Sequence, residues 1–474
     1  MKNNRREFIK RTGLAGAGIF VGGSRNPENR EPFPQTQRQR INMSEYAAPK
    51  LETVRVGIIG LGNRGSGTTR AMARIEGVEI KAMCDIIPEK VSAAIASIQD
   101  IPQHNPDSYS GSEDAWKRLC ERGDIDLVYI GTPWRLHTPM AVYAMEHEIH
   151  AAVDRPCAVT IDECWQLVET SERTRRHCWM ATRSCLDGIK AVALNMVRKG
   201  LFGEIIHAEG AYIHNLNTER YNFSKDQYYD MWRLKENATR NGNLYPESGI
   251  DAAAPMMDIN YGDKMEFMVS VSGNDFSMKE KAREMAAADP FFEPYVDKNY
   301  RGNMNVSIIR TARGRSIMIQ HDVSTPRPRP GSHLISGTKG LFRHSPNPAI
   351  AFGHEGWLPE EEFQSLVEEY TPEISKRFSE MVRQAGGERY SGYSSVRPMD
   401  WRLIDCLRNG LPLDMNVYDA ALWSALGPLS EWSVANRSHP VQVPDFTAGA
   451  WQTSKRRQDI ELEYGGTTKL LRYG

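Results

Sequence analysis

Short β-branched runs alternate with helix-compatible segments through the first part of the chain. Val54-Arg55-Val56-Gly57-Ile58-Ile59 reads as a strand, stops at Gly60-Leu61-Gly62-Asn63-Arg64-Gly65, and gives way to a segment from Ser66 to Ile75 that suits a helix. A second strand, Val78 to Cys84, ends at Asp85. Then follow strand Leu127-Val128-Tyr129-Ile130, the loop Gly131-Thr132-Pro133-Trp134-Arg135-Leu136-His137, helix Thr138 to His147 and strand Ile149 to Val153. Elements that alternate in this way predict βαβ units and a Rossmann domain over residues 52–182.

The strand, GxGxxG, helix order gives the glycines a chemical meaning. Gly60 serves a tight turn and Gly62 the close approach of a pyrophosphate, while the helix that Gly65 opens presents amides and a dipole that favour phosphate. Asp85 lies about twenty positions past the last motif glycine, where a carboxylate bonds the adenosine ribose hydroxyls and repels a 2′-phosphate, so NAD is favoured over NADP. The loop after Ile130 opens at the carboxyl edge of the sheet, which makes Trp134 and His137 cofactor candidates. His137 serves equally well as a helix N-terminal residue bonded locally.

Composition narrows the partners. Fifty-nine basic and 60 acidic residues among 474 leave a net charge of −1, so no global field draws nucleic acid or an anionic membrane, and the expected partner is a small molecule. The seven cysteines form no CxxC pair and read as mostly buried thiols. His137, His207, His214 and His321 show no paired ligand spacing, and no metal site is expected. At the N-terminus, Asn4-Arg5-Arg6-Glu7-Phe8-Ile9-Lys10 precedes the apolar, Gly/Ala-rich run Gly13 to Gly23, the pattern of a twin-arginine export signal over residues 1–24. That run is too short and glycine-rich for a comfortable bilayer span, so a periplasmic protein without stable membrane insertion is expected. The Pro/Gln/Arg-rich stretch over 25–51 reads as a disordered linker.

Beyond the glycine loop, several segments in order resemble one family: Thr132-Pro133-Trp134 to His137, Val159-Thr160-Ile161-Asp162-Glu163-Cys164-Trp165, Leu194-Asn195-Met196-Val197-Arg198, Tyr212-Ile213-His214, Trp232-Arg233-Leu234, Gly242-Asn243-Leu244-Tyr245-Pro246 and Val443-Pro444-Asp445-Phe446. The family is the Gfo/Idh/MocA oxidoreductases, and within it the NAD-dependent glycosidases of glycoside hydrolase family 109. The resemblance implies an α/β protein whose Rossmann domain is joined to a C-terminal α+β substrate domain, residues 183–474, with an open, largely antiparallel sheet and helices on one face. A broad sheet face of that kind is a common dimer surface, so a homodimer is expected.

The chemistry the resemblance implies is redox-neutral hydrolysis of a sugar glycoside. NAD takes a hydride from C3, the ketone acidifies the C2 proton, elimination expels the aglycone from C1, water adds, and the hydride returns. Carried over by matching positions, nucleotide contacts fall on Asn63, Arg64, Asp85, Trp134, His137, Asp154, Arg155 and Arg183. Sugar contacts fall on Tyr212, Arg233, Tyr245 and Pro246. Tyr212 and His214 lie two apart on a strand expected from Glu204 to His214 and share a face, which suits a pocket; sheet packing explains Tyr212 equally, and a surface ion pair Arg233.

Four positions depart from the family. Its Tyr-Pro-Thr-His stands here as Tyr245-Pro246-Glu247-Ser248, which removes an imidazole and makes Glu247, desolvated, the candidate for proton transfer beside Tyr212 and His214, with a solvated loop glutamate as the bland reading. An expected asparagine near Met180 is absent from Ala181-Thr182-Arg183-Ser184-Cys185-Leu186-Asp187. Pro-Arg-Pro-Tyr becomes Pro326-Arg327-Pro328-Arg329, which puts a permanent cation, Arg329, in the sugar site and makes an anionic or sulfated sugar conceivable. The wider superfamily's lysine becomes Arg155 in Asp154-Arg155-Pro156, a cation that polarises or binds an acid but does not act as a base. A sugar dehydrogenase that stops after hydride transfer and a catalytically silent carbohydrate-binding protein are the competing readings.

Overall fold

The computed structural model describes residues 32–182, 186, 188–327, 333–386, 395–454 and 458–472. The expected export signal and the site candidates Arg183 and Arg329 lie outside the described residues.

The first sheet contains β1 (Val54–Ile59), β2 (Val78–Cys84), β3 (Asp107–Tyr109), β4 (Leu127–Ile130), β5 (His150–Asp154) and β6 (Cys178–Ala181), in the order β3-β2-β1-β4-β5-β6. All neighbours are parallel. Its helices are α1 (Asn63–Met72), α2 (Pro88–Ala96), α3 (Ala115–Cys120), α4 (His137–Glu146) and α5 (Ile161–Thr174). β4 and β6 are buried at every position, as strands covered on both faces must be. The order reverses between β1 and β4, which opens a crevice at the carboxyl ends of those two strands. Helix α1 begins at Asn63 rather than at the expected Ser66, because the glycine motif itself forms the first turn.

The second sheet is mixed and open. It contains β7 (Ile205–Ile213), β8 (Met265–Ser272), β9 (Asn305–Thr311), β10 (Ser316–Asp322), β11 (His333–Gly337), β12 (Leu341–Arg343), β13 (Ala349–Ala351) and β14 (Val441–Gln442), in the order β13-β12-β11-β7-β10-β9-β8-β14. Only β7 and β10 run parallel, and their register sets His321 beside Tyr212. The helices of this domain include α6 (Ile189–Arg198), α7 (Trp232–Thr239) and α8 (Pro246–Ile250), of which α8 packs on β7 and β10, while Ile206, Val271 and Ile308 stand exposed on strands of the sheet.

The end of the chain returns to the first sheet. Helix α9 (Pro398–Asn409) packs on β1, and α10 (Val417–Ala435), opened by a capping box of Asn416 and Asp419, packs against α5, β6, β8 and α8. A mostly buried helix in contact with both sheets fixes them relative to each other. The stretch before β1 departs from the disordered linker expected for it. Over its described part, Met43 is buried, Arg40 N–H donates to Glu172 at 2.7 Å, and Gln39 donates to the Tyr418 hydroxyl at 2.8 Å. Its composition suggested disorder because the groups that hold it come from far along the chain.

Candidate active site

The glycine loop is built by steric exclusion. Gly60 has φ +87°, and a Cβ there would lie 2.8 Å from the Gly131 carbonyl carbon; a Cβ on Gly65 would lie 1.7 Å from the Gly60 oxygen. Gly62 differs, because a Cβ on it would meet nothing within 4 Å, so its surface is open to a ligand. No side chain caps α1, which leaves its first amides available. Asp85 accepts from Leu61 N–H at 2.7 Å and from Ile87 N–H at 3.0 Å. The carboxylate therefore braces the loop as well as standing where a ribose would bond, with acceptor capacity remaining on each oxygen. An open glycine, uncapped amides and a fixed carboxylate together fit a dinucleotide.

Arg64 pairs with Asp154 at 3.1 Å. Burial works against ionisation of Asp154, but Arg64 and Arg155 outweigh it and hold the carboxyl below its ordinary range. Asn63 reaches across to Gln227 at 2.9 Å. The His137 ring contacts the Pro156 and Thr132 carbonyl oxygens at 2.7 and 2.8 Å, so it clamps the loop locally and has no ring nitrogen left for the cofactor. Trp134 is buried edge-on against Trp232 and Tyr245, with centroids 5.1 and 5.0 Å away, and Arg135 pairs with Glu236 at 2.7 Å. The loop after β4 thus ties the Rossmann domain to the second domain.

Across that junction lies an aromatic pocket. Tyr212 and Tyr245 pack with centroids 4.6 Å apart, and the Tyr212 hydroxyl is 3.3 Å from His214 Nδ1, so the pair two apart on β7 does meet. The Arg233 guanidinium lies 4.7 Å from the Tyr228 ring, 5.2 Å from Trp232 and 5.6 Å from Tyr245. It forms no ion pair among the described residues, and its buried Nε has no hydrogen-bond partner, so the surface ion-pair reading does not hold. Arg155 lies 6.0 Å from the Tyr212 ring and donates weakly to Thr182 at 3.4 Å.

Helix α8 delivers the departed motif. Pro246 opens it and is buried; Ser248 is nearly so, and its hydroxyl has no partner. Glu247 is fully buried with neither carboxyl oxygen hydrogen-bonded, which excludes the solvated loop glutamate. Burial pushes its carboxyl up to about 8, with Arg155 the strongest opposing influence. The Tyr245 hydroxyl is also without a partner, and burial raises its pKa.

Sequence reasoning gave no role at this pocket to His321. Its ring is buried, stacks with Tyr212 and Tyr245 at 6.1 and 5.8 Å, has no partner on either nitrogen, and is held neutral chiefly by burial. Alternation along β10 and pairing with β7 put it there, and the strand partner was not legible. Of other acids in this domain, Asp230 is exposed and paired with Lys235 at 2.5 Å, and Asp251 is buried against Lys190 at 3.1 Å. Among the described residues no group of His, Cys, Asp or Glu is arranged to hold a metal ion, and no helix is long and apolar enough to cross a membrane.

Residues 54–182 match the oxidoreductase family with an NAD-binding Rossmann fold, and residues 189–453 match the C-terminal domain of glycosyl hydrolase 109. An alpha-N-acetylgalactosaminidase of Bacteroides fragilis is 44% identical over 410 residues, 86% of this chain and 95% of that one. A glycosyl hydrolase family 109 protein of Shewanella pealeana is 40% identical over 458 residues, 96% of this chain and 98% of that one. Among solved structures, the WlbA dehydrogenase from Bordetella pertussis, in complex with NADH and UDP-GlcNAcA, superposes with a TM-score of 0.57 at 16% identity, covering 84% of this chain and all (100%) of that one, a likeness of fold.

Proposed function

The chain belongs to glycosyl hydrolase family 109 and joins that family's domain to an NAD-binding one, and from this premise we propose that it is a glycosidase working through a redox-neutral cycle at its NAD site. The substrate class we propose is a glycoside of an amino sugar or related hexose, in line with the alpha-N-acetylgalactosaminidase named among its relatives.

Bound NAD would supply the hydride acceptor and donor for C3 of the sugar. Gly60, Gly62, Gly65, Asn63, Arg64, Asp85, Asp154 and Arg155 are the residues we assign to holding it. The chain's own work is proton transfer and orientation. The Tyr212 hydroxyl, coupled to His214, is positioned to move the proton of the hydroxyl being oxidised. Arg233, Tyr245, Pro246 and Ser248 line the sugar. The observation that carries this reading is Glu247: a carboxyl without a partner, raised to about 8, is suited to take a proton from C2 and, after exchange with solvent, to supply one back.

A panel of chromogenic glycosides tests it. Aglycone release with no net NADH is expected; stoichiometric NADH without hydrolysis would establish the dehydrogenase instead, and tight NAD without turnover on any glycoside would favour a silent binding protein. We also propose export by the twin-arginine route and a homodimer through the open sheet, supported by the paired arginines and by exposed Ile206, Val271 and Ile308. Retention of a signal fusion in the cytoplasm, or a monomer in light scattering, would refute each in turn.

A further inference from the structure

Between β7 and α7 the chain leaves the second sheet and returns as a bow. Its first end is fixed: Asn222 N–H donates to the Leu216 carbonyl at 3.0 Å, Asn217 Nδ2 to the Ser277 carbonyl at 3.2 Å, and buried Phe223 packs on Phe292 with centroids 5.9 Å apart. Its second end is Met231, buried at the start of α7. Between them Lys225, Asp226, Gln227, Tyr229 and Asp230 are exposed, and Tyr228 is half-buried.

This middle reaches both ends of the cleft. The Asn63 side chain donates to the Gln227 side chain at 2.9 Å, and Asn63 is the first residue of α1, next to the open Gly62 where a pyrophosphate approaches. One residue on, the Tyr228 ring lies 4.7 Å from the Arg233 guanidinium and 5.8 Å from Trp232, which stands edge-on to Trp134 of the loop after β4. Two adjacent residues of the bow therefore touch the phosphate loop on one side and the aromatic pocket on the other. The bow is also sharply bent. Asp230 has φ 54° and ψ 28°, and Met231 φ 51° and ψ 30°, two successive left-handed residues of which neither is glycine. L residues rarely enter that region, and they stay there only where surrounding contacts impose it. A segment anchored at both ends, exposed in the middle and strained at one hinge has the make-up of a lid.

We propose that residues 225–230 are a strap over bound NAD, latched to the phosphate loop by Gln227 on Asn63, and that opening of this strap limits release of the cofactor. Asn63 then serves twice, its backbone amide facing the pyrophosphate and its side chain holding the latch. This rests on the NAD site alone and is independent of whether the sugar chemistry ends in hydrolysis. A cycle that returns its cofactor unchanged gains from such retention.

The test is a release rate. Protein loaded with NADH is mixed with excess NAD, and the loss of bound NADH fluorescence is followed by stopped flow. Gln227→Ala should release the nucleotide about three- to tenfold faster, as the loss of one hydrogen bond implies, at an unchanged melting temperature because the side chain is exposed. Asp230→Pro, which cannot take a positive φ, should release it faster still. Asp230→Gly loses the same ion pair with Lys235 but enters the left-handed region freely, and should keep the wild-type rate. If the proline variant does not fold, Gln227→Ala decides. An unchanged release rate in Gln227→Ala would overturn the proposal. So would faster release that tracks a fall in melting temperature, which would make the contact a stitch between domains, or equal acceleration in Asp230→Gly and Asp230→Pro, which would trace the effect to the ion pair. Release as expected from a protein that hydrolyses no glycoside would leave this inference standing while the glycosidase reading falls.

Discussion

At the nucleotide end of the cleft, Asp85, Asp154 and His137 each find partners within the chain, whereas at the sugar end Glu247, Ser248, the Tyr245 hydroxyl and His321 have none. The nucleotide end is a largely built scaffold: its side chains hold a loop in shape, and backbone amides and the spare acceptor capacity of Asp85 are left for a ligand. The sugar end stores the cost of desolvated polar groups, which a hydroxyl-rich ligand would relieve. Satisfied groups position, and unsatisfied groups react or bind; substitutions in the two regions should therefore fail differently.

The largest contrast is expected at α8. Glu247→Gln should lower turnover by about two to four orders of magnitude with bound NAD unchanged, and Ser248→Ala by far less. Steady-state rates with nucleotide content measured in parallel decide this, and a glutamine variant of ordinary activity would return Glu247 to a structural role. At the opposite end, Gly65→Ala forces a Cβ to within 1.7 Å of a backbone oxygen and should lose both thermal stability and NAD. Gly62→Ala meets no atom within 4 Å and should keep its melting temperature while releasing the nucleotide; equal loss of stability in both would erase the distinction between them. A smaller effect, about tenfold, is expected from Asp85→Ala, which should weaken NAD and relax discrimination against NADP; an unchanged preference would place the ribose contact elsewhere.

A further contrast concerns pH. The folded Glu247 carboxyl is raised from 4.5 to about 8, so the folded state binds this proton more tightly than the unfolded one. Stability from this group is complete below about 4.5 and is lost as pH rises towards 8. Glu247→Gln, with no proton to lose, should gain melting temperature over wild type across that window, and a constant difference at every pH would contradict the raised value.

Legibility in the sequence follows the same divide. The nucleotide end is encoded within the run from Gly60 to Asp85, so turn, amides and carboxylate could be read from spacing, and the alternation of strands and helices gave the sheet they sit on. The pocket is gathered from Arg155, Tyr212, Arg233, Tyr245 and His321, on separate elements of both domains. Resemblance supplied four of those positions, Arg155 as a nucleotide contact, but the absence of partners around Glu247, the Tyr245 hydroxyl and the Arg233 Nε depends on tertiary packing. His137 shows the limit from the other side: placed correctly in the loop, it is spent on two carbonyls. The ordering of residues 33–50 was equally hidden, because Tyr418 and Glu172 hold it from distant segments.

The central claim is that hydrolysis passes through oxidation at C3, which makes the C2 hydrogen acidic and exchangeable. Running a productive glycoside to completion in deuterated water and reading C2 of the released sugar by NMR tests this most directly. Deuterium at C2 with no net NADH is the result the account predicts; complete hydrolysis with C2 still fully protiated would contradict it and point to direct displacement.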